Sequence, residues 1–178
     1  LAIKCFEQSI RKHPENNPQA YFELGKILHQ QNQLAAAKQR LLVSVKQSPE
    51  RPEYLHRLGV VCLDLGLVEE ALVYLKRAEP HGATLPKILF ALSRAYREKG
   101  DSAAAEDYAN RFQTLVVTQK TREDRELRSS QLIEQGEKEL DAGRTARARE
   151  LFEEASRVNP QSWDAHGYLA EMLLDSDA

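Results

Sequence analysis

Aromatic residues are scarce in this chain, 7% of the total with a single tryptophan. No apolar run approaches the roughly 20 residues that a helix needs to cross a bilayer, so membrane insertion is not expected. Basic residues hold no surplus: 25 Lys and Arg against 27 Asp and Glu leave a net charge of −2. A general nucleic-acid binder needs a cationic excess to neutralise phosphate, so no nucleic-acid partner is expected unless through a local basic patch. Cysteine is reduced to Cys5 and Cys62, at no metal or redox spacing. Both fall on apolar helical stripes and read as small core fillers.

Motifs for chemistry are missing as well. His13, His29, His56, His81 and His166 are dispersed, with no second ligand at metal spacing. There is no Gly-rich phosphate loop and no nucleophile elbow. The acidic pairs Glu69–Glu70 and Glu153–Glu154 read as solvated helix faces. Nothing assembles a base, a nucleophile and an oxyanion site. No catalytic residue, cofactor or metal is therefore expected in this segment. The chain begins with Leu1 inside a helical pattern and without a signal segment, so it reads as a piece of a longer protein. Two cysteines do not fix the compartment. A soluble, cytoplasmic setting is favoured, with any targeting signal outside these residues.

What the chain does have is repetition. Pro18, Pro52 and Pro86 recur at 34-residue intervals, each opening a similar stretch: "PQAYFELGKI", "PEYLHRLGVV" and "PKILFALSRA". Proline suits a first helical turn, where its missing N–H has no partner to lose. Tyr21, Leu24, Gly25 and Leu28 then follow at helical spacing. "HQQNQ" breaks the stripe, a second one runs through Leu34, Ala37, Leu41 and Val45, and Pro49 ends it. The unit is a helix–turn–helix.

Two columns of small residues accompany it. One runs Gly25, Gly59, Ser93, Gly136 and Ala170; the other runs Ala2, Ala37, Ala71, Ala105 and Ala148. Four residues after each of those alanines stand Phe6, Leu41, Leu75, Ala109 and Phe152. Small residues meeting across two helices, with a larger knob one turn on, describe tightly packed antiparallel pairs. A single pair cannot bury both faces, so the pairs must stack.

The pattern of aromatic or leucine, Leu-Gly, then Ala-x-x-x-large and proline resembles the tetratricopeptide repeat. "YFELGKIL" with "AAAKQRLL", "YLHRLGVVC" with "EEALVYL", and "ARARELFEEASRVNP" carry the resemblance, which covers nearly the whole chain. It implies an all-α, right-handed α-solenoid of stacked antiparallel helix pairs, whose concave face is lined mainly by first helices. The expected organisation is one solenoid over 1–178. Residues 1–17 hold the second helix of a truncated repeat, and repeats occupy 18–51, 52–85 and 86–119. A helical insertion follows at 120–128, then a repeat at 129–162, and 163–178 hold a lone first helix. Helices lacking partners at the two ends suggest end-to-end self-association.

Several departures carry further expectations. Pro80 comes early, which predicts a helix stop near Glu79 and a loop from Pro80 to Leu85. The insertion has neither proline nor glycine, and an overlong helix from Ser102 into the mid-120s is expected, supported by Lys120–Asp124 and Asp124–Arg128 pairs. Gln135 and Glu139 replace large apolar residues, so the fourth pair should dock imperfectly on a stripe of Leu132, Ile133, Gly136 and Leu140.

The candidate site is the concave surface. Phe22, His56 and Phe90, with Ile133, stand at one place in successive first helices, flanked by Lys26, Arg57, Lys87, Arg94 and Arg97, which Glu23, Glu53 and Glu98 partly balance. Apolar anchors beside cations suit a peptide or protein segment of acidic character. Some members of the family grip chaperone C-terminal carboxylates with a lysine–asparagine clamp. Those slots here hold Phe22, Lys26, Arg57, Lys87 and Ala91, of which only Lys87 fits, so that clamp is not expected. The function expected is a non-catalytic protein-interaction scaffold. The alternative is a specificity or regulatory module of a larger enzyme or assembly whose catalytic part lies elsewhere.

Overall fold

The computed structural model describes residues 2–82 and 86–176. Among them the chain is entirely helical: α1 (Ala2–Lys12), α2 (Pro18–Gln30), α3 (Leu34–Gln47), α4 (Pro52–Asp64), α5 (Val68–Gly82), α6 (Pro86–Lys99), α7 (Ser102–Asp141), α8 (Thr145–Val158) and α9 (Trp163–Ser176). The three prolines of the 34-residue period stand at the first positions of α2, α4 and α6. Each hairpin turn is closed by a left-handed residue: Asn32 (φ 58°), Gly66 (φ 74°), Gly100 (φ 87°) and Gly143 (φ 73°). This conformation lets the following amide reach back to the last helical turn, as in Leu67 N–H donating to the Cys62 carbonyl at 2.8 Å.

The chain forms two compact units, residues 1–115 and 116–178. The division falls within α7, close to where the sequence places its insertion. In the first unit the core is a continuous cluster that includes Leu41, Tyr54, Leu58, Leu75, Ile88 and Leu92. Within it the small-residue column works as spacing for the partner helix. A β-carbon placed on Gly25 would lie 2.6 Å from Leu41 Cγ, closer than atoms can pack, so only glycine lets α2 and α3 approach this far. At Ser93 the hydroxyl uses the gap instead, donating to the Ala105 carbonyl at 2.9 Å.

The second unit packs Leu132, Ile133, Leu151, Phe152 and Ala165 together. Gly136 meets Phe152, whose Cε1 would stand 2.5 Å from an added β-carbon. Phe152 is fully buried and stacks on Tyr168 at 4.5 Å between ring centroids. The fourth pair is therefore tightly docked where loose docking was expected. The polar replacements explain why: Gln135 is exposed, and Glu139 turns aside to pair with Arg144, so neither occupies the seam.

Three other expectations are corrected. α5 does not stop at Glu79 but runs through Pro80 to Gly82. Proline there forfeits the bond its own nitrogen would have donated and crowds the carbonyl one turn back, and only two helical residues follow it. The remainder of the expected loop, 83–85, lies outside the described residues. α7 does not end in the 120s: it continues without a break to Asp141, 40 residues in all and about 60 Å long. No proline lies within it, and its one glycine, Gly136, is packed in the helix against Phe152. Its supporting pairs are Arg122–Glu126 at 2.8 Å and Arg128–Glu154 at 3.2 Å, in place of those read from spacing. Cys62 is buried, but Cys5 is exposed, because it lies off the Ile3–Phe6–Ile10 stripe that α1 turns inward. Burial pushes the Cys62 thiol up to about 11, with the Glu70 carboxylate adding to the effect.

Candidate functional site: the first-helix face of residues 1–115

Helices α2, α4 and α6 form one layer of the first unit. The α4 backbone comes close to both α2 and α6, whereas α3 and α5 do not approach each other in that way. First helices packed more closely than second helices make this layer the inner side of a curved stack. All seven predicted site residues stand on these three helices.

The apolar column is not a uniform ladder. Phe22 is only 9% exposed and stacks on Tyr54 of the next first helix, ring centroids 4.5 Å apart. His56 is also 9% exposed. Its pKa is lowered to about 4, first by burial and then by the charges of Lys87 and Arg57, with the Lys87 backbone acting in the opposite sense. These two positions are thus covered by the following first helix. Phe90 differs. It belongs to α6, the last first helix of the unit, and remains 58% exposed, touching Phe112 at 5.7 Å between centroids.

The cations divide in the same way. Lys26 Nζ lies 2.8 Å from Glu23 Oε2 and 5.4 Å from the Phe22 ring, so it is occupied locally. Arg94 is held twice, by Asp64 Oδ1 at 2.8 Å and by Glu98 Oε1 at 2.7 Å. Partial burial works against its charge, but these two carboxylates outweigh it and raise its pKa. Arg57 and Lys87, by contrast, have no carboxylate partner among the described residues. Arg57 Nε is buried without a hydrogen-bond partner, and no other buried side-chain polar atom among the described residues shares that condition. Leaving a buried donor unpaired is costly; that atom is closed to a ligand, so the open part of the half-buried Arg57 guanidinium is what a ligand acceptor would meet.

Glu23 and Glu98 balance Lys26 and Arg94 as expected, but sequence reasoning missed Asp64. Asp64, at the end of α4, accepts from Arg94 and also sits 2.7 Å from His29 Nε2. It thereby ties α2, α4 and α6 together. The available signal was its place about one repeat from both partners.

No cluster of metal-ligating side chains occurs among the described residues. No helix among them is long and apolar enough to cross a membrane.

Stacked helix hairpins with an inner layer of first helices define a helical-repeat protein that presents an extended side-chain surface. Tetratricopeptide repeat models match residues 5–39, 86–115 and 133–177, and the chain belongs to the tetratricopeptide repeat family. Comparison with curated proteins gives no match. Among solved structures, the chain is similar to MamA (TM-score 0.62, 16% identity, covering 89% of this chain and 87% of that one). It is also similar to TTC0263, a thermophilic TPR protein of Thermus thermophilus (TM-score 0.55, 20% identity, 97% and 89% covered). A third is YrrB, described as a TPR protein with an unusual peptide-binding site (TM-score 0.57, 15% identity, 97% and 84% covered). At these identities the likeness concerns the fold.

Proposed function

We propose that this chain is a non-catalytic interaction scaffold. It binds a peptide or protein segment across α2, α4 and α6, through an apolar residue on Phe90 and an acidic group between Arg57 and Lys87. The observation that carries the reading is the pairing pattern: the half-buried Arg57 and its neighbour Lys87 have no carboxylate partner among the described residues, while Lys26 and Arg94 are already neutralised. A ligand carboxylate would pair with the open part of Arg57, and Lys87 brings a second positive charge to the same place. Phe90, largely exposed beside them, offers the area on which binding energy concentrates. The peptide-binding site of YrrB, a protein of similar fold, supports the same class of ligand.

The test is capture by the intact chain, followed by mass spectrometry, with Arg57→Ala/Lys87→Ala as the comparison. Partners with acidic, apolar segments should be retained by the unmodified chain and lost from the variant at low salt. Identical capture by both would contradict the proposal.

A further inference from the structure

Asp64 stands at the C-terminal end of α4 with one oxygen on each side of the layer: Oδ2 is 2.7 Å from His29 Nε2, and Oδ1 is 2.8 Å from Arg94 Nη2. Arg94 Nε reaches Glu98 Oε1 at 2.7 Å. Two carboxylates therefore share one guanidinium along this edge. The opposite edge, towards the helix N-termini, carries Arg57 and Lys87 without carboxylate partners among the described residues. The surface leaves two cations unpaired at one edge, where Glu53 also stands in the first turn of α4, and is electrically satisfied at the other, with Phe90 exposed on the same α6 helix as Lys87 and Arg94.

From this asymmetry we propose that Asp64 is a specificity residue: it withholds Arg94 from ligands, so the surface selects a segment with one acidic group and rejects a second. A further ligand carboxylate near Arg94 would meet Asp64 and Glu98 before it met an open cation. Like charges brought together at a partly buried surface disfavour the complex, and such repulsion is a common way to exclude a wrong partner. The inference rests on the groove reading above and adds the charge pattern of the ligand to it.

The experiment uses the full chain and dye-labelled, N-acetylated, C-amidated peptides of glycine and serine. One series carries a phenylalanine and one aspartate, and the other carries a second aspartate placed at successive positions. The unmodified chain should bind the single-aspartate series more tightly. Asp64→Asn should bind the best two-aspartate peptide roughly three- to fivefold more tightly than the unmodified chain does, the range of a partly exposed ion pair. Its gain for single-aspartate peptides should be smaller. Adding Arg94→Gln should abolish the gain, with melting temperatures showing that each variant folds. If Asp64→Asn does not fold, Glu98→Gln serves the same comparison with a smaller gain. Unchanged preference in Asp64→Asn, or a gain that survives Arg94→Gln, overturns the inference while leaving the groove reading in place. Failure of the unmodified chain to bind either series overturns both.

Discussion

Gly59 and Leu75 meet so closely that a β-carbon on the glycine would lie 2.6 Å from Leu75 Cγ and 2.8 Å from Cδ2. Leu75 is fully buried and has nowhere to retreat. This contact sets the spacing of α4 and α5, as Gly25 with Leu41 sets that of α2 and α3.

Gly59→Ala should therefore destabilise the fold although alanine is the better helix former. Overpacking of this kind costs about 1–3 kcal/mol, against a propensity gain of about 1 kcal/mol. Gly167 is the counter-case: it lies in α9 with nothing within 4 Å of an added β-carbon. Gly167→Ala should gain up to about 1 kcal/mol. Denaturant titration checks both, and a stabilising Gly59→Ala would contradict the packing account.

His56 makes stability depend on pH. Its folded pKa is about 4, below the ordinary value of about 6.5 for an unfolded histidine. Between these values the unfolded chain holds the extra proton, so stability rises with pH. The contribution is complete above about 6.5 and is lost as pH falls through about 4, with a limiting slope of about 1.4 kcal/mol per pH unit. His56→Gln should flatten the melting-temperature profile between pH 6.5 and 4 relative to the unmodified chain. Parallel profiles would contradict the burial assigned to His56.

The middle of α7 should be helical yet weakly protected. Every residue from 120 to 128 is exposed, so its backbone bonds depend on local propensity and on pairs such as Arg122–Glu126. Amide exchange there should be much faster than in α4, whose core residues are fully covered. Equal protection of the two segments would show that 120–128 are held by contacts of another kind.

The sequence was most informative where a covalent or steric rule acts locally. Proline at a first helical turn placed the starts of α2, α4 and α6 to the residue, and the Gly/Leu and Gly/Phe columns named the tight contacts. Local rules served less well at helix ends. Pro80 marks the last turn of α5 but not its final residue, and an insertion without proline carries no stop before Asp141. The site was legible as a set of positions but only partly in its electrostatics. The Arg94–Glu98 pair follows i, i+4 spacing, but the second carboxylate on Arg94, Asp64, lies about one repeat away and has no such signature. The same holds for Phe22, whose cover is Tyr54 of the next pair.

On the proposed reading, the first-helix face binds an acidic, apolar segment through Phe90, Arg57 and Lys87. The direct measurement is titration of the single-aspartate phenylalanine peptide into the unmodified chain and Phe90→Ala, with melting temperatures recorded for both. Phe90→Ala is predicted to weaken binding by about 2 kcal/mol, roughly 30-fold, while the melting temperature stays where it was, as expected for a side chain already 58% exposed. Arg57→Ala should weaken binding mainly at low salt. A sharp fall in melting temperature, with binding that merely follows the folded fraction, would make Phe90 part of the core and contradict the account.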